Sequence, residues 1–304
     1  MINRRHFVQG TAGLIAGASF TLPALADWKA DYKELIYAVV PDENATGVEK
    51  RYEAFVNYLS KELGVPVKLR IANDYAAVIE GQIAGNIHIA KYGPASYARA
   101  FMNGAKVEPF AMEVNKDGTK GYYSVLYVKK DSPIKSIDDL KGKNLGLVDP
   151  NSTSGNNVPR FAMDKMGIDP EKYFSNVVYT GSHENAVIAL QQGTVDAAFN
   201  WWNDENESML MRMERKNMAK YADFRIIFKS DIIVNSPYAY LTTLPEDLRG
   251  MIRDAFFKIE SKDAAAFQAV TDGQQQLWQP TTHKDYEVIV DLNKFVDALR
   301  KKST

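Results

Sequence analysis

The residues of this chain best suited to chemistry are three consecutive hydroxyls in Asp149-Pro150-Asn151-Ser152-Thr153-Ser154-Gly155. They follow a short apolar run, Leu145 to Val148, that reads as a buried strand. They precede Val158 to Met166, which reads as the start of a helix. The first N–H groups of a helix lack partners in their own helix, and its dipole is positive at that end, so an anion is favoured there. Ser and Thr hydroxyls add donors without adding charge. A helix cap needs only one hydroxyl. Three in a row followed by Gly155 point instead to a cradle for a compact oxyanion such as phosphate, phosphonate or sulfate.

The elements around the cradle alternate. Glu34–Val40 reads as a strand, 48–63 has helical spacing of Tyr52, Phe55, Val56, Leu59 and Leu63, and Gly64 is a stop signal. A second strand at 65–71, a helix capped by Asp74, a third strand at 86–90 and a helix at 94–104 follow. This β-α-β-α-β order predicts parallel strands in an α/β fold. The pattern restarts with strands at 122–129, 144–148, 176–179 and 196–199 and helices at 136–140, 158–166 and 184–192. Late strands at 224–229 and 238–241 and helices at 245–259, 264–270 and the C-terminus close the chain. Two α/β units with strands returning late predict two lobes, 27–120 with 236–304 and 121–235.

The first 26 residues have the form of an export signal. Arg4 and Arg5 precede Phe7, an apolar Gly/Ala-rich stretch runs from Gly10 to Leu22, and Ala24-Leu25-Ala26 is a small-x-small cleavage site. The Arg pair fits a twin-arginine signal, with Sec export as the other route. Either route predicts a periplasmic protein that begins near Asp27. The whole chain carries 37 Lys+Arg and 38 Asp+Glu; without the two arginines of the signal, the balance is 35 against 38, a net of −3. Nothing in that balance suits a nucleic-acid partner. The chain has no cysteine and only four histidines, so thiolate chemistry is excluded, and no metal or other cofactor is expected.

Several blocks, taken in order, resemble the phosphonate-binding proteins of ABC importers. They are Ala72–Gly81, Lys91–Ser96, Gly121–Val125, Lys130–Ile134, Asp149–Gly155 and Gly181–Asn185. The resemblance spans nearly all of the chain after the signal. It implies a type II periplasmic binding protein, two α/β lobes closing on a ligand held between them, which acts as a monomer and delivers that ligand to an inner-membrane ABC permease. It places the oxyanion-binding hydroxyls on Ser152, Thr153 and Ser154, the aromatic cleft residues on Tyr75 and Tyr122, and the anion-binding histidine on His183. Tyr75 and the Tyr92–Ser96 turn are expected on the facing lobe.

The sequence departs from the family pattern at the other end of the ligand. Members that take aminoethylphosphonate hold its ammonium with two acids, and those positions fall on Asn203 and Ser236. Those neutral residues favour a neutral-tailed phosphonate or a small phosphorus oxyanion, since an unpaired buried ammonium is costly; the alternative is a substitute acid from Glu43, Asp204, Glu205 or Asp231, with Trp201-Trp202 as aromatic wall or packed at a lobe edge. Two other readings stand beside phosphonate capture. One is a receptor for inorganic phosphate or phosphite. The other is a phosphoester hydrolase with a nucleophile among Ser152–Ser154, which needs a positioned base that the sequence does not reveal.

Overall fold

A computed structural model describes residues 28–303; the segment 1–26 that reads as an export signal lies outside the described residues. The chain first lays down β1 (Leu35–Val39), α1 (Ala45–Leu63), β2 (Val67–Ile71), α2 (Tyr75–Ile83), β3 (Ile89–Lys91), α3 (Pro94–Met102) and β4 (Val107–Asn115). It then builds β5 (Gly121–Lys129), β6 (Asn144–Leu147), α4 (Val158–Lys165), α5 (Pro170–Tyr173), β7 (Asn176–Tyr179), α6 (His183–Gln192), β8 (Ala197–Asp204) and β9 (Glu207–Ser208). That unit ends with α7 (Met209–Arg215), β10 (Phe224–Lys229) and β11 (Ile233–Val234). The chain returns with β12 (Pro237–Leu241), α8 (Glu246–Lys262), α9 (Ala264–Thr271), β13 (Gln275–Pro280) and α10 (Glu287–Ser303).

Local chemistry explains the boundaries. Asn44 and Asp74 cap α1 and α2 through Gly47 N–H and Ala77 N–H. Gly64 ends α1 in the left-handed conformation at φ 67°, which a side chain would disfavour. As the alternating pattern predicts, β1 pairs in parallel with β2 and with β3.

The strands fall into two sheets. The first runs β13-β4-β12-β3-β1-β2, and the second runs β10-β5-β8-β6-β7 with β9 and β11 at its margins. Each sheet with its helices forms one lobe, and the chain crosses between them at 115–121 and 234–237. The first lobe packs around an aromatic cluster in which Phe55, Phe256 and Trp278 meet edge-on or tilted at centroid distances of 5.1–5.5 Å. Helix α10 lies against α3 of one lobe and α4 of the other.

Several elements differ from the sequence expectation. The segment 107–115 forms a strand, although Pro109 interrupts it; the ladder to β12 shifts register there, where proline has no N–H to donate. Strand β13 and helix α7 were not expected either. Strand β8 runs to Asp204 rather than stopping at Phe199.

Candidate functional site

The cradle stands at the carboxyl end of β6. Ser152 Oγ accepts the Gly155 N–H at 3.1 Å, and Thr153–Asn157 wind as a π-type turn into α4. Such turns are rare and frequent at functional sites. Gly155 is required by close approach: a Cβ there would lie 2.4 Å from the Val148 side chain and 2.8 Å from Ser152 Oγ. Below the turn, Asn156 anchors it by donating to Pro150 O at 2.8 Å and accepting from Arg160 Nε at 2.9 Å. Ser152, Thr153 and Ser154 are all buried and all line the cleft between the lobes.

The facing groups are phenols and an imidazole. Tyr75, at the start of α2, interacts through its phenol with Ser152, and Tyr122, on β5, with Thr153 and Ser154. Burial drives both phenols well above their ordinary range, so both stay protonated donors. Nε2 of His183 lies 3.3 Å from Ser152 Oγ, and its Nδ1 lies 2.9 Å from Asn200 Oδ1. The Asn200 amide is fixed by donating to His183 O and accepting from Trp201 N–H. Its oxygen therefore receives the Nδ1 proton, and Nε2 of the neutral ring points at the cradle as an acceptor. Burial, opposed by Asp42 and Asn200, pulls the His183 pKa below its usual value, which favours that neutral ring.

The lobes touch across the cleft. Ala95 N–H, in the first turn of α3, donates to Thr153 Oγ1 at 2.8 Å. Asn44 Nδ2 donates to Glu184 Oε1 at 2.5 Å, and Glu184 N–H to Asp42 O at 3.0 Å. Asn293 of α10 accepts from Asn157 Nδ2 at 2.6 Å and donates to Ala95 O at 2.9 Å. These contacts join the two lobes across the cleft.

The cleft is also charged. Asp42, Glu113 and Glu207 line it, with Lys91 and Arg212. Lys91 Nζ is 2.8 Å from Glu113, and Arg212 lies 3.1 Å from Glu207 and 3.2 Å from Glu43. The Arg212 guanidinium also stacks over Trp201, 4.8 Å from the ring centre. The Trp201 indole N–H is buried without a hydrogen-bond partner among the described residues, which leaves a donor available to a ligand. Asn203 donates to Asn115 Oδ1 at 3.0 Å, and Ser236 lies in the crossing segment between β11 and β12, where its carbonyl accepts Glu113 N–H.

The structure thus brings Ser152, Thr153, Ser154, Tyr75, Tyr122, His183, Asn203 and Ser236 into one cleft. It does not bring Glu43 there. That carboxylate sits behind the wall, bonded to Arg51, Arg212 and Lys216. Burial alone would raise its pKa, but these cations outweigh it and hold the group at about 2. Asp204 turns back to the N–H groups of Asn206 and Glu207, Glu205 accepts from the Tyr221 phenol, and Asp231 does not line the cleft. The lining acids are Asp42, Glu113 and Glu207 instead. A signal for Asp42 and Lys91 was available: both stand at carboxyl ends of parallel strands, where open α/β sheets bind ligands. Among the described residues, no cluster of His, Cys, Asp or Glu is placed to hold a metal ion, and no helix is long and apolar enough to cross a membrane.

Two α/β lobes with buried hydroxyls lining the cleft between them have the architecture of periplasmic solute-binding proteins. Residues 37–286 match the family model described as ABC transporter, phosphonate, periplasmic substrate-binding protein, and the chain belongs to that family. It is 32% identical over 256 residues to the phosphonates-binding periplasmic protein of Escherichia coli K12, covering 81% of this chain and 74% of that one. It is 27% identical over 266 residues to the phosphate-import protein PhnD of Mycolicibacterium smegmatis, covering 82% of each. A solved binding protein of an ABC phosphonate transporter from Pseudomonas aeruginosa superposes with a TM-score of 0.80 at 29% identity, covering 89% of each chain.

Proposed function

We propose that this protein captures a phosphonate in the periplasm through Ser152, Thr153, Ser154, Tyr75, Tyr122 and His183 and presents it to an inner-membrane ABC permease. The observation that carries the reading is the cradle itself. Three buried hydroxyls at a helix entry face two protonated phenols and an imidazole from the surrounding elements. Neutral hydroxyl and phenol donors lining one cleft suit an oxyanion that must shed its water, because hydrogen bonds to a charged group are the strong ones, and His183 Nε2 can accept a proton that the anion carries. The substituent on phosphorus would then extend toward Trp201, Asn203, Ser236 and the charged end of the cleft.

The mechanism is closure. The cradle belongs to one lobe, while Tyr75 and Ala95 belong to the other. A ligand that touches both lobes stabilises the closed form by its differential affinity for that form, and the permease reads the closed shape. Thr153 couples the two events, since its oxygen accepts from Ala95 across the cleft while its hydroxyl proton, which faces Tyr122, can turn to the anion.

The protein acts without catalysis in this reading. Ser152, His183 and Asn200 do align as a hydroxyl, base and amide. Yet Ser152 Oγ already serves Gly155 N–H as a cap, and a neutral Asn stabilises an imidazolium less than a carboxylate does. Turnover of a chromogenic phosphoester that disappears in Ser152→Ala would establish the hydrolase reading instead. Inorganic phosphate is the second candidate ligand, favoured by the name of the M. smegmatis relative. A thermal-shift series with methylphosphonate, phosphate, phosphite and sulfate tests the proposal, because a ligand bound only by the native state raises the melting temperature. Methylphosphonate is expected to give the largest shift. A shift with phosphate alone would replace the reading, and no shift with any phosphorus oxyanion would end it.

A further inference from the structure

We propose that Lys91 is a built-in counter-ion that fills the tail end of the cleft and turns away ligands that carry their own amine. The inference rests on the phosphonate reading above. Lys91 is the last residue of β3, is only 8% exposed and lines the cleft. Its ammonium lies 2.8 Å from Glu113 Oε1 and 4.0 Å from Asp42 Oδ2, and both of those acids line the cleft too. Arg212, the other lining cation, is committed to Glu207 and Glu43. Lys91 is therefore the cation that balances Asp42 and Glu113 within the lining. The two positions where the resemblance expects acids for a ligand amine hold Asn203 and Ser236, both neutral. The cleft thus has acids near the tail, and the protein's own ammonium already occupies them.

The charges make the consequence specific. A ligand ammonium entering this end would meet a like charge in a site shielded from water, where Coulomb interactions are strong. A methyl or hydrogen substituent meets no such penalty. Burial alone would favour a neutral lysine, but Glu113 and Asp42 outweigh it and keep Lys91 protonated. Removing the Lys91 charge leaves Asp42 without a close cation and Glu113 with only the neutral Gln275 amide, which donates to it at 2.8 Å, so an ammonium on the ligand would find two uncompensated carboxylates.

The experiment is calorimetric titration of the full chain with methylphosphonate and with 2-aminoethylphosphonate. The chains compared are wild type, Lys91→Met, Lys91→Arg and Lys91→Met with Glu113→Gln. The wild type and Lys91→Arg are expected to prefer methylphosphonate. Lys91→Met is expected to shift the affinity ratio at least tenfold toward the amino compound. The double variant, which leaves no orphaned charge at Glu113 and so folds even if Lys91→Met does not, is expected to show weaker discrimination than wild type. An affinity ratio unchanged in both variants overturns the inference while leaving the phosphonate reading in place. Equal loss of both ligands in them also overturns it, by making Lys91 a ligand of the anion. A wild type that binds neither compound refutes the phosphonate reading and this inference with it.

Discussion

Replacing Thr153 by Val should cost more affinity than replacing Ser154 by Ala, although each change removes one hydroxyl from the same turn. Valine keeps the shape of threonine, so the cavity term is small. The Thr153 oxygen accepts Ala95 N–H at 2.8 Å, and Ala95 is fully buried. Without that acceptor, closure buries an unpaired N–H, at about 1–3 kcal/mol. Loss of the hydroxyl's hydrogen bond to a charged ligand adds about 1.5–3 kcal/mol. Ser154→Ala loses only the second contribution. At about 1.4 kcal/mol per tenfold, Ser154→Ala should weaken binding roughly ten- to a hundredfold, and Thr153→Val by a further factor of about 5 to 150. In an open form Ala95 N–H meets water, so the melting temperature of the ligand-free protein should change little. Titration calorimetry gives the affinities, and small-angle scattering with and without ligand gives the closure. A Thr153→Val variant that binds as well as Ser154→Ala would refute the claim that Thr153 couples the anion to closure.

Two further predictions concern titration. Because Nδ1 of His183 is held by Asn200 and the free ring is neutral, either the ligand brings a proton to Nε2 or the ring takes one up on binding. Affinity should therefore fall as pH rises from about 6 to about 9, and His183→Gln should flatten that slope; a slope unchanged in the variant would show that another group takes the proton. Glu43 is held at about 2 from an ordinary 4.5, which corresponds to about 3 kcal/mol of stability at neutral pH. The pKa is depressed in the folded state, so this contribution is present above about pH 4.5 and is lost as pH falls toward 2. Urea unfolding should show Glu43→Gln less stable than wild type at pH 7, with the gap closing in acid; a gap independent of pH would contradict the ion-pair account.

The sequence reading reached the fold and the oxyanion end of the site for identifiable reasons. Apolar spacing along 48–63, the cap at Asp74 and the stop at Gly64 are local signals, and local signals survive in one dimension. The Ser152–Ser154 run was legible because one turn supplies all three hydroxyls. The tail end was not. It is assembled from Asp42 after β1, Lys91 at the end of β3, Glu113 on β4, Trp201 on β8 and Arg212 on α7. No spacing along the chain links those residues. Two of their elements, β4 and α7, were themselves missed, the first because Pro109 argues against a strand that in fact lies between β12 and β13. Glu43 shows the converse error. Its place after the first strand suggested the cleft, but Arg51, Arg212 and Lys216 draw its carboxylate behind the wall. Asn200 was missed for a different reason: its role is to orient His183, and a residue that acts through another leaves no motif.

The most direct test of the central claim is titration of methylphosphonate into wild type and into the triple variant Ser152→Ala, Thr153→Ala, Ser154→Ala, with circular dichroism of both. The account predicts saturable binding to wild type and none to the triple variant at the same concentrations, with the same far-ultraviolet spectrum. A folded triple variant with unchanged affinity would contradict it.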